Sequence, residues 1–207
     1  MNTINPHQVP RLREIQAGRK FWGYLDTEAF RSRYVLAAHF VRHARHIVEI
    51  GGYRDNLITN FLTGQHESVS VYSLDAEFEP IERESLNGAP CRVRHVRDYF
   101  QNYPHPTDDL AVVALGLEIH GGIEAFHGLI RDATTTVVEI PVDHRPSVDC
   151  LDALLASVPL CVRCQINLDL APNDELLREE LRASSMNPPF WRRHVYVLNA
   201  AGPPILA

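Results

Sequence analysis

The chain has 207 residues, 45% of them hydrophobic and 22% charged, and no run of eighteen apolar residues. That is enough for one domain with a full core, and it leaves no stretch that reads as a membrane-spanning helix. The net charge of -6 argues against nonspecific nucleic-acid binding, which runs on phosphate neutralisation, although residues 1–50 carry a local +4.

The N-terminal stretch begins MNTINPHQVPRLREIQ, which has no apolar core and does not read as a signal peptide. Pro6 and Pro10 make it an extended or loosely helical lead-in, followed by an aromatic cluster at Phe21, Trp22 and Tyr24. Asp26 or Thr27 can cap a helix over 28–43, with Phe30, Tyr34, Ala37, Ala38 and Val41 on one face. Four cysteines, Cys91, Cys150, Cys161 and Cys164, are few for this length, so a reduced, cytoplasmic protein is expected.

The short apolar run Ile47-Val48-Glu49-Ile50 stops at Gly51-Gly52. Leu57, Ile58, Phe61 and Leu62 follow at helical spacing, and Gly64 ends the pattern. Val69 to Leu74 reads as a second strand that ends on Asp75, where an acid can hold the two hydroxyls of a ribose. This order of strand, glycine turn, helix and acid-tipped strand opens a nucleotide-type pocket in an α/β sheet. The turn lacks the third glycine of a dinucleotide loop, and Asp55 stands where a phosphate would bind. The pocket therefore suits an adenosine ligand without a phosphate.

Beyond Asp75, residues 76–84 form an acidic and helical connection that Pro80 breaks or starts. Cys91–Val96 alternates as a third strand near a sheet edge, and 108–115 is a buried fourth. It runs into Gly116, Leu117, Glu118 and His120, and the next helix holds Ile123, Phe126, Leu129 and Ile130. Residues 134–142 give a β-branched fifth strand, and Ser147 can cap a helix with Leu151, Leu154 and Leu155 at core spacing. Residues 160–170 and 191–199 supply the sixth and seventh strands, with a short helix from Asn173 between them.

Glu49-Ile-Gly51-Gly52 with the second-strand Asp75 resembles the first two motifs of class I S-adenosylmethionine (SAM)-dependent methyltransferases. Glu49 and Gly51 match the family's acid-x-Gly-x-Gly, and Tyr53 replaces its second glycine. The resemblance covers nearly the whole chain. It implies a single domain over 1–207, with 1–44 as a cap over the pocket. It also implies a seven-stranded, mostly parallel Rossmann-like α/β sheet with helices on both faces.

By that resemblance Glu49 orients the turn and the methionyl amine, Gly51, Gly52 and Tyr53 approach the ligand, and Asp75 and Ala76 meet the ribose. Asp98 meets the adenine amino group, Tyr99 or Phe100 flanks the ring, and Gly116 and Leu117 also bind the cofactor. Trp22, Tyr24 and Tyr34 wall the ligand, and aromatic faces attract a sulfonium. His144 and Arg145 edge the substrate side, Arg145 as a bidentate carboxylate partner. Glu118 and His120 stand where a base and its orienter often lie.

No metal is expected. His39 and His43 are spaced i, i+4, but Arg42 and Arg45 crowd them. The expected partners are a small molecule rather than nucleic acid or membrane, and a homodimer is left open. The leading reading is methyl transfer from SAM to a small nucleophile. The first alternative keeps the ligand: the chain also resembles azetidine-2-carboxylate synthases, enzymes of this fold in which the methionyl amine of SAM attacks its own γ-carbon and releases methylthioadenosine. The second alternative is a non-catalytic binding subunit.

Overall fold

The computed structural model describes residues 28–52, 57–73, 79–98, 100, 103–104, 108–115, 127–142, 145–157, 160–169 and 192–200. In chain order these are helix α1 (Glu28–Val41), strand β1 (His46–Ile50), a 3-10 turn (Ile58–Asn60), β2 (Ser68–Tyr72), β3 (Ile81–Leu86) and β4 (Ala89–Val96). They continue with β5 (Leu110–Leu115), α2 (His127–Arg131), β6 (Thr135–Pro141), α3 (Arg145–Ser157), β7 (Leu160–Asp169) and β8 (Arg192–Ala200).

All eight strands form one sheet in the order β3-β4-β2-β1-β5-β6-β8-β7. The strands β4, β2, β1, β5 and β6 are parallel, and β3, β8 and β7 run antiparallel to their neighbours. Parallel strands buried on both faces read as continuous apolar runs, as Leu110–Leu115 does. One face is covered by α1, whose Tyr34, Ala37, Ala38 and Val41 pack on Ile47, Val113 and Val137. The other is covered by Leu129 and Ile130 of α2 and Leu151 and Leu154 of α3 against Val48, Val112, Val138 and Ile140.

Three expectations are corrected. The sheet has eight strands, not seven, because residues 81–86 are an edge strand where a helical connection was expected. The signal was the dipeptide Asn87-Gly88, whose φ values of 51° and 81° are those of a type I′ hairpin turn. It pairs Leu86 with Ala89 and puts β3, not β4, at the edge, where Glu82, Arg83 and Glu84 blunt it with charge.

The helix expected after the glycine turn is a single 3-10 turn. Leu57, Ile58 and Leu62 are buried as the spacing requires. Ile58-Thr59-Asn60-Phe61, however, is a run of weak helix formers, too short to repay helix nucleation. The α3 helix starts at Arg145, so Ser147 lies inside it and is not its cap.

Candidate ligand-binding site

The four-residue connection from Val41 to His46 makes α1 antiparallel to β1, so α1 begins at the edge where the parallel strands end. Open α/β sheets bind ligands at that edge. There the backbone of Gly51, at a φ of 82°, donates to the carbonyl of Tyr72 at 2.8 Å, and Ser73 donates to Val96 at 3.0 Å. These bonds tie the exits of β1, β2 and β4 together.

Glu49, one residue before the end of β1, is 1% exposed. Its Oε2 accepts a 2.7 Å hydrogen bond from the backbone N–H of Ile58, the first residue of the 3-10 turn. Burial pushes its carboxyl up from 4.5 to about 8, against smaller opposing effects of the Ile58 bond and the Arg33 guanidinium. A Cβ on Gly52 would lie 2.3 Å from Val71 Cγ1 and 2.7 Å from Leu57 Cδ2. Glycine is thus required at that position by packing beneath the turn.

Side chains alternate along strands, which puts Glu49, Leu115, Glu139 and Arg193 on the α1 face. Arg33 of α1 donates from Nη1 to Glu139 Oε2 at 2.8 Å. Arg193 of β8 lies across the same carboxylate, with Nε 3.3 Å from Oε1 and Nη2 3.4 Å from Oε2. Glu139 has no exposed surface, and both arginine side chains are below 10%. Among the described residues, Arg33, Glu49, Glu139 and Arg193 are the buried side chains that carry formal charge.

Tyr34 joins them. Its ring stacks on Phe61 at 5.5 Å, and the Arg33 guanidinium lies 5.1 Å over it. Burial holds its hydroxyl far above the ordinary range; Arg33 opposes this, while Glu49 and Glu139 add to it. The sequence reading missed Arg33, Glu139 and Arg193. A glutamate inside the β-branched run Thr135–Pro141 was the available signal, since carboxylates are seldom fully buried without a partner.

On the other face, Tyr72 closes β2 and meets Tyr103 edge-on at 6.0 Å, with Phe100 in the same cluster. Asp98 is half-buried just past β4 and is felt by Tyr72, whose hydroxyl is raised by burial, lowered by Arg94 and raised by Asp98. Arg145 is 80% exposed at the start of α3 and pairs with Asp149 at 2.7 Å. Arg42 occupies the space between His39 of α1 and His43 in the turn after it, at 2.9 Å from His39 Nε2 and 2.9 Å from His43 Nε2. Among the described residues no group of three metal-ligating side chains is found. The expected site residues Trp22, Tyr24, Tyr53, Asp75, Ala76, Tyr99, Gly116, Leu117, Glu118, His120 and His144 lie outside the described residues.

No protein-family model matches the chain, and no curated protein matches it in sequence. Solved structures do match in fold. N-methyltransferase NodS from Bradyrhizobium japonicum, in complex with S-adenosylhomocysteine, aligns with a TM-score of 0.60 at 8% identity, over 94% of this chain and 99% of that one. The 1,6-didemethyltoxoflavin-N1-methyltransferase of Burkholderia thailandensis, with its substrate and S-adenosylhomocysteine bound, aligns at 0.56 and 14% identity over 98% and 93%. The cyclase SpnF aligns at 0.55 and 8% identity over 84% and 81%. The chain therefore has the Rossmann-like α/β fold of class I methyltransferases, with one added edge strand. Among the described residues no helix is long and apolar enough to cross a membrane.

Proposed function

We propose that the protein is a SAM-dependent enzyme acting on a small molecule, with methyl transfer to a nucleophile as its reaction. The observation that carries this is Glu49: a buried carboxyl at the mouth of β1 that accepts the Ile58 N–H and whose proton affinity is raised by burial. Among the described residues between β1 and β2 the helical element is a single 3-10 turn, which offers no α-helix start to a phosphate. Support also comes from the fold match to two methyltransferases that hold S-adenosylhomocysteine.

In this reading the Glu49 carboxylate takes the methionyl ammonium, Asp75 takes the ribose hydroxyls, and Asp98 and Tyr99 border the adenine. SAM supplies a methyl group already activated by its positive sulfur. The protein aligns the reactants and keeps water out, and His120 or Glu118 takes the proton of the nucleophile. Residues 1–44 cap the site, in keeping with the entry of α1 at the mouth.

A second reading, intramolecular cyclisation, is favoured by the same carboxyl. Burial raises the proton affinity of this carboxyl, so it can take the proton of the ligand's ammonium and leave the amine able to attack. The N–Cγ bond forms as the Cγ–S bond breaks, the sulfur keeps the electron pair in methylthioadenosine, and Glu49 holds the amine's proton. Incubation of the pure protein with SAM alone, followed by mass spectrometry, separates the two. Intact SAM until an acceptor is added supports transfer; methylthioadenosine without an acceptor refutes transfer in favour of cyclisation. Failure to bind SAM at all refutes both and leaves a non-catalytic subunit.

A further inference from the structure

Along β8 the buried Val195 and Val197 alternate with His194, Tyr196 and Leu198, which lie on the α3 face. That second set turns polar toward the carboxyl edge of the sheet: Leu198 is buried, while Tyr196 and His194 are half-buried. β8 runs antiparallel to β6 and pairs His194 with Ile140, one residue before β6 ends. The register carries this level across the sheet. Ile50 at the end of β1 pairs with Ala114, Ala114 with Val138 and Val138 with Tyr196. His194 therefore stands beyond the end of β1, on the level of Gly52. The SAM reading puts the amine at β1, the ribose at β2 and the adenine at β4, which leaves the β5, β6 and β8 side to the methyl acceptor. On that side His194 lies two strand spacings, about 10 Å, beyond β5.

The His194 ring is pinned at one nitrogen. Gln165 Nε2 of β7 donates to its Nδ1 at 3.2 Å, and the Tyr196 hydroxyl meets the same atom at 3.1 Å. The two rings also meet edge-on at 5.8 Å. An amide nitrogen can only donate, so Nδ1 is the acceptor and the neutral imidazole carries its hydrogen on Nε2. Burial, with Asp152 adding to it, raises the Tyr196 hydroxyl above its ordinary value and keeps it a donor. Two donors sharing one lone pair account for contacts longer than the best of their kind. Among the described residues no group takes the Nε2 hydrogen.

We propose that His194 binds the methyl acceptor: it presents Nε2–H as a fixed donor to a carbonyl or carboxylate oxygen, with Tyr196 and Gln165 as positioning residues. This rests on the reading of the protein as a SAM-dependent transferase. It concerns which acceptor is chosen, not the proton transfer. An acceptor with no oxygen at that point leaves the donor desolvated and unpaired, and is rejected for that reason.

The test is nitrogen NMR of the histidine rings at about pH 8, above the ordinary imidazole range. His194→Phe assigns the signal, or His194→Gln should the first not fold. Without ligand, the wild-type ring should carry its hydrogen on Nε2. In the double variant Tyr196→Phe, Gln165→Leu, the hydrogen should be shared with Nδ1. Benzamide, with toluene as control, is then titrated into the chain saturated with S-adenosylhomocysteine. Benzamide should move the Nε2–H signal saturably, toluene should not, and His194→Phe should weaken benzamide binding about tenfold.

A hydrogen found on Nδ1 of the wild-type ring overturns the inference before any ligand is added. No response to benzamide, or an equal response to toluene, overturns it while S-adenosylhomocysteine binding leaves the SAM reading standing. A chain that takes up no S-adenosylhomocysteine removes the SAM reading and this inference together.

Discussion

Replacing Glu49 by glutamine tests the electrostatics of the site without a ligand. The amide keeps an oxygen for the Ile58 N–H, which now sits 2.7 Å from Oε2, and it has nearly the same volume. What it removes is the titration. The folded-state carboxyl titrates at about 8 against 4.5 when solvated, so the folded chain holds this proton more tightly than the unfolded chain. Stability therefore falls as pH rises through that window, because the unfolded state sheds the proton first.

Each tenfold difference in proton affinity between the two states is worth ~1.4 kcal/mol. At about pH 8 to 9 the wild-type chain has therefore lost on the order of 3–5 kcal/mol from this group relative to about pH 4. Glu49→Gln does not lose it. Urea denaturation at several pH values should show the variant close to wild type at about pH 5 and more stable by a few kcal/mol at about pH 9. A variant less stable than wild type across the whole range would refute the argument, because it would mean that Glu49 is ionised in the folded chain and holds Ile58 by a charge-assisted bond.

Glu139→Gln leaves two buried guanidiniums around a neutral amide and should cost about 3–5 kcal/mol in urea denaturation. Gly52→Ala pushes a methyl into Val71 and Leu57 and should destabilise by about 1–3 kcal/mol, with ligand affinity falling as the turn shifts. Gly88→Ala is the control: nothing lies within 4 Å of its Cβ, so only the backbone strain at a φ of 81°, about 1 kcal/mol, is added, and ligand binding is unchanged. Asp75→Ala should weaken S-adenosylhomocysteine binding by ~1–3 kcal/mol by calorimetry, through loss of charge-assisted bonds to the ribose.

Much of the fold was legible because its signals are local. Ile47–Ile50 and Leu110–Leu115 are apolar runs that end at turns, and they became β1 and β5. The face of α1 was readable from the spacing of Tyr34, Ala37, Ala38 and Val41. The strand at Ile81–Leu86 was missed because its residues are almost all exposed, so no burial pattern marks it; the turn Asn87-Gly88 did. The helix expected after Gly52 failed for the opposite reason: its apolar residues are buried as spaced, but burial does not require a helix.

The sequence by itself determined the alternation of strand and helix, the glycine turn after β1 and the carboxyl that precedes it, since each follows from residues near one another in the chain. Only the tertiary structure decided that β8 lies between β6 and β7, and that Arg33, Glu139 and Arg193 meet. Residues 106 positions apart form that contact. No local preference encodes such a meeting; it arises because α1 and the sheet must bury their apolar faces together, and the charges carried on those faces are then enclosed with them.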